Sequence, residues 1–114
     1  MNLDINQLVD DIKTVASDIL KKDVATVRGF SNRQVKGIAT QAGLVATGIA
    51  TGDITGSLRE FFLDQIVELV RNFVNTLVGL LLATIERLWN ALVNLIWDTI
   101  SKVNGVAIAP FKPL

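Results

Sequence analysis

Apolar residues near the start of the chain fall at Ile5, Leu8, Val9, Ile12, Val15, Ile19, Leu20 and Val24. Their alternating spacing of three and four is the signature of a one-faced helix. Asp4 can cap it, with Gln7 three residues on as in a capping box, and Leu3 and Leu8 flank the cap like a hydrophobic staple. Arg28-Gly29 supplies a stop, so the pattern predicts a first helix over 4–28. The device repeats at Ser31 with Gln34 and Phe30 with Val35, opening a second helix over 31–51. Val35, Ile38, Ala42, Val45 and Ile49 share one face of it. The neighbouring face is small, and Ala39, Gly43, Thr47 and Ala50 are expected at a close helix contact. Such a contact would offset Gly37, Gly43 and Gly48, each of which costs a helix about 1 kcal/mol against Ala.

Thr51 to Gly56 is a break, and Ser57 with Glu60 forms a third capping box, although Thr55 could cap instead. From Leu58 to Val103 there is no proline and a single glycine, Gly79, before Asn104-Gly105 stops the run. Read as one helix over 57–103, this segment would reach roughly 70 Å. The first two helices, at roughly 38 and 32 Å, are too short to cover it by folding back. One meridian of the long helix carries Val70, Val74, Leu77, Leu81, Ile85, Leu88, Leu92 and Leu95. The opposite stripe carries Asn72, Asn75, Thr76, Gly79, Asn90 and Asn94. Phe73, Val78, Leu80, Leu82, Trp89 and Trp97 stand elsewhere around the circumference, so the apolar face is far wider than the stripe of a solvent-facing helix.

A helix so built has to be surrounded. The first candidate is other copies of the chain, with the apolar meridian as the oligomer interface and Trp89 and Trp97 as its anchors. The second is a bilayer, with residues 66–97 inserting and the Asn/Thr/Gly stripe lining a pore. The longest uncharged run, Asn72 to Ile85, is 14 residues, and about 20 are needed to span. Assembly is therefore favoured over insertion. A kink at Gly79 that folds the segment into a four-helix bundle ranks below both, because Leu77-Val78-Gly79-Leu80-Leu81 holds no polar turn residue. The expected architecture is thus all-α, one helical unit over 1–114: a hairpin over 4–51, a long helix over 57–103 and an extended tail over 105–114 with Pro110 and Pro113.

Composition removes most chemistry. The 114 residues contain no Cys and no His, and their formal net charge is 0. Disulfides, thiolate metal sites and the commonest general base are absent, and a neutral chain is no specific nucleic-acid clamp. Asp64 and Glu68 lie one turn apart and read as a solvated face rather than a metal site, while Arg71 can pair with Glu68 at i,i+3. No cofactor is called for, and the chain reads as a non-enzyme. Residues 1–20 carry four aspartates and no signal-like apolar core.

The stretch from Arg28-Gly29-Phe30-Ser31-Asn32-Arg33-Gln34-Val35 to Gly52-Asp53-Ile54-Thr55 and Arg59-Glu60-Phe61-Phe62-Leu63-Asp64 resembles small helical proteins encoded among tailed-bacteriophage structural genes. The resemblance carries over no catalytic residue. It implies a virion, tail or DNA-ejection component, with copies of itself and other virion proteins as partners. It also implies a location in the virion or the host cell, at a membrane in the pore reading.

Overall fold

The structure is a computed structural model and describes residues 3–104. Helices are the only regular structure among the described residues: α1 (Ile5–Leu20), a short 3-10 turn (Val24–Thr26), α2 (Asn32–Thr51), α3 (Gly56–Thr76) and α4 (Leu82–Asn104). The expected strap over 105–114 lies outside the described residues.

The first two helix starts follow from their caps. The Gln7 backbone N–H donates to Asp4 Oδ1 at 3.0 Å, and the Gln34 N–H donates to Ser31 Oγ at 3.2 Å. Each side chain thus satisfies one of the donors that an α-helix leaves open at its N-terminus. At α3 the N-cap is Thr55 with no side-chain bond, so the box expected from Ser57 and Glu60 does not form the boundary.

The first helix ends eight residues earlier than 4–28 predicts, at Leu20. Lys21 adopts a left-handed conformation with φ 58°, and the Lys22 N–H returns to the Ser17 carbonyl at 3.2 Å. Ser17 Oγ then accepts the Val24 N–H at 3.0 Å, and Asp23 Oδ1 accepts that of Ala25 at 3.0 Å. Serine and aspartate side chains here bind backbone that the helix would otherwise use. Val24, apolar and in phase with α1, is still fully buried, but from the 3-10 turn.

The larger departure is at residues 77–81. The expected helix over 57–103 is two helices, and α4 folds back beside α3. Gly79 takes φ 86°, a left-handed conformation costly for any residue with a Cβ. The Leu77 N–H bonds to Val74 O at 3.2 Å and the Val78 N–H to the Arg28 carbonyl at 2.8 Å. The next backbone donors to find acceptors are Thr84 and Ile85, both on Leu81 O at 3.0 Å. The turn therefore has no side-chain cap and one backbone anchor outside its own helices. A straight helix of roughly 70 Å could not fit in this chain, whose longest dimension is 42 Å and whose radius of gyration is 13.8 Å.

Within the bundle α2 and α4 each touch all three other helices. The small face of α2 supplies part of the reason. Ala39, Ala42 and Ala46 are buried, and a Cβ on Gly43 would stand 3.4 Å from the Ile5 side chain. Gly48 lies under Ile54, whose N–H bonds to the Gly48 carbonyl at 2.9 Å. Thr47 and Ala50, expected at the same close contact, are exposed although they share the face of Gly43, because Gly43 already meets Ile5, the residue at which α1 begins. Fully buried Leu88, Leu92, Val93, Ile96 and Ile100 bring α4 into the common core with Leu8, Ile12, Ile38, Ile66 and Phe73. The Phe30 ring meets Phe73 edge-on at 6.0 Å, tying the α1–α2 connection to α3.

Two glycines should respond in opposite directions. Gly29 has φ 90°, and a Cβ there would run into the Thr76 carbonyl, whereas Gly37 is an exposed helical position with nothing near its missing Cβ. Gly29→Ala is expected to lose about 1–3 kcal/mol and Gly37→Ala to gain up to about 1 kcal/mol. Urea unfolding of each variant checks the two signs.

Candidate interaction surface

The turn between α3 and α4 leaves its apolar side chains outside. Leu81 is 77% exposed, Leu82 71% and Val78 54%, while Leu80 beside them is half-buried. Leu77 points inward and is buried. Three large apolar side chains within five residues, on one tip of the bundle, form a protrusion rather than scattered exposure.

Behind the protrusion a recess of about 210 Å³ opens between α3 and α4, lined by Arg71, Val74, Asn75, Leu82, Ile85, Glu86 and Trp89. The pairing of Asn75 with Leu82 and of Arg71 with Trp89 along its walls shows that the two helices run antiparallel there. Arg71 does not form the i,i+3 pair with Glu68. Its guanidinium lies over the Trp89 ring, 5.4 Å from the centroid, and its Nε is buried without a hydrogen-bond partner. A cation held over an indole face is attracted by the ring quadrupole. The recess therefore carries one cation, one carboxylate and an apolar floor.

A second groove, of about 470 Å³, lies between α2 and α3 and is lined by Gln41, Phe61, Asp64, Gln65, Glu68 and Leu69. Phe61 is 55% exposed and Leu44, one turn beyond Gln41 on α2, is 63% exposed. Asp64 and Glu68 border this groove as a solvated face. No group of three or more metal-ligating side chains occurs among the described residues.

The structure divides the expected interface residues. Val70, Val74, Leu77, Leu88 and Leu92 lie in the core of the single chain, each at most 4% exposed. Ile85 and Leu95 are half-buried, and of the eight only Leu81 is exposed. Trp89 and Trp97, expected as interface anchors, are also in the core. The cause is the turn, which brings α4 back onto its own chain and gives these side chains an intramolecular partner.

The expected polar stripe is not one surface either. Asn72, Asn75, Thr76, Gly79 and Asn94 are exposed and Asn90 is half-buried, but the turn splits them between two antiparallel helices. Thr76 Oγ1 bonds to the Phe73 carbonyl at 2.7 Å and reaches Gln34 Oε1 at 3.2 Å, holding the end of α3 against α2. Residues 66–97, the stretch expected to enter lipid in the pore reading, contain the turn. No described helix is long and apolar enough to cross a membrane. The stripe is not gathered around a lumen within this chain.

Sequence reasoning missed the protrusion at Val78, Leu81 and Leu82 as a separate feature, because it placed these residues on one helix. The glycine at position 79 was the available signal. Compared with protein-family models, curated proteins and solved structures, the chain matches none of them.

The division between core and protrusion has a direct check. Leu88→Asp buries an unpaired carboxylate and is expected to cost more than about 4 kcal/mol, most of the stability of a domain at the low end of the usual range of about 5–15 kcal/mol. Leu81→Asp, on the same expected meridian but at the residue that caps α4, should keep the fold and gain up to about 1 kcal/mol, since a carboxylate there can accept from the first turn. Circular dichroism through a urea titration reads both.

Proposed function

We propose that this chain is a non-enzymatic, self-assembling helical protein that works by packing against copies of itself within a larger structure. The observation that carries the reading is the apolar protrusion of Val78, Leu81 and Leu82, where the two most exposed large apolar side chains among the described residues, Leu81 and Leu82, stand side by side. Each leucine moved from water into a contact contributes about 1.5–3 kcal/mol. A twofold contact would use two copies of the same protrusion at once. Arg71 and Glu86 flank the adjoining recess, so each copy offers both signs of charge, and opposite charges can meet across a twofold axis. The formal net charge of 0 adds no long-range repulsion between copies.

The likeness of residues 28–64 to small helical proteins of tailed-phage structural genes supports a place in a virion, tail or DNA-ejection assembly. In that setting other virion proteins join the list of partners.

Sedimentation equilibrium over a wide concentration range tests the proposal. The parent protein is expected to self-associate, and the double variant Leu81→Asp/Leu82→Asp to weaken that association by at least about tenfold, equivalent to about 1.4 kcal/mol. A parent that stays monomeric at high micromolar concentration would overturn it. So would a double variant that associates as well as the parent.

A further inference from the structure

Residues 77–81 are a turn made of helix-forming sequence. Four of the five are leucine or valine, and leucine is among the best helix formers. Gly79 alone has a left-handed φ there, and a Cβ on it would meet nothing within 4 Å. The residue is therefore glycine for its backbone conformation and not for want of space. The apolar phase also runs straight through the turn. At 100° per residue Leu63, Val70, Val74, Leu81, Leu88 and Leu92 fall within about 20° of one line. Five of these six are buried in the bundle, and Leu81, in the turn, is 77% exposed.

We propose that the turn is a hinge, and that two copies exchange α4 by straightening it. In the exchanged dimer residues 57–103 of each chain form one continuous helix. Its α4 half then occupies, on the second copy, the seat between α1, α2 and α3 that it occupies at home in the monomer. The occupant of that seat is thus the same segment of an identical chain, and every core contact of Leu88, Leu92, Ile96 and Ile100 is remade between chains. Domain exchange is a low-cost route to a dimer for this reason. Straightening also satisfies backbone groups that the turn leaves open at the end of α3 and the start of α4. With both hinges straight and close to the twofold axis, Val78, Leu81 and Leu82 of one chain face those of the other. Against this stand the anchor from Val78 N–H to the Arg28 carbonyl, at 2.8 Å, and the entropy of joining two chains. The inference rests on the self-association proposed above and gives it a mechanism.

The chain has no cysteine, so spin labels can be placed uniquely at Glu60→Cys and Asp98→Cys, both exposed positions. On one continuous helix these sites lie about 57 Å apart, whereas the monomer is at most 42 Å long along any principal axis. Gly79→Ala penalises the left-handed turn and favours the helix. In that background, refolded with excess unlabelled chain, the expected result is a dimer with a label distance near the longer value. Dimer formation should rise by at least about tenfold. Gly79→Asn, which tolerates the left-handed conformation, should stay close to the parent.

A Gly79→Ala dimer whose label distance stays within the monomer's length overturns the exchange and leaves self-association standing. A Gly79→Ala protein that remains monomeric with the parent's distance overturns the exchange as well. Should Gly79→Ala fail to fold, the labelled parent is refolded at high concentration and its dimer fraction isolated. The longer distance there supports the exchange, and a short distance or the absence of a dimer overturns it. If neither parent nor variant associates at any concentration, the self-association reading falls too.

Discussion

The apolar face of α4 has to be covered, and the bend at Gly79 decides what covers it. With the bend, Leu88, Leu92, Ile96 and Ile100 enter a core shared with α1, α2 and α3, and each is fully buried. Without it, the same side chains would stand beyond the reach of their own chain. Five residues of connection thus separate a closed bundle 42 Å long from a rod that needs neighbours. The energy that holds the bend comes from burial elsewhere. Each leucine-sized side chain that α4 buries contributes about 1.5–3 kcal/mol, and this outweighs the few backbone bonds the turn forgoes.

That origin explains what the sequence could and could not reveal. The caps at Asp4 and Ser31 were legible because a capping bond is local: a hydroxyl or carboxylate, a backbone N–H three residues on, and nothing else. The small face of α2 was legible in part. Ala39 is buried and Gly43 meets Ile5 of α1 closely, but Thr47 and Ala50 lie past the residue at which α1 begins, a length that spacing on α2 does not encode. The early end of α1 follows from a competition between helix propensity and the side chains of Ser17 and Asp23. Spacing alone does not weigh that competition.

The bend was the hardest feature to read, since every local signal around it favours helix. Leu77, Val78, Leu80 and Leu81 carry no turn chemistry, and the apolar phase passes through unbroken. Only Gly79 hints at a stop, and a single glycine inside a helix is common enough to be discounted at a cost of about 1 kcal/mol. On one rigid helix over 57–103, Val70, Val74, Leu88 and Leu92 would need outside partners; the bend gives them partners within the chain, where all four are buried. Leu81 stays exposed, because the bend itself expels that side chain. The apolar surface left on this segment is smaller than a full helix face, and it sits on the turn.

Amide hydrogen exchange resolved by residue tests most directly whether α4 folds back through a real break. Strong protection is expected along Ile66 to Phe73 and again along Leu88 to Ile100, with fast exchange from Gly79 to Ala83, where no backbone acceptor awaits the N–H groups. Unbroken protection from Leu63 to Ile100 in a monomeric protein would mean one continuous helix and would contradict the account.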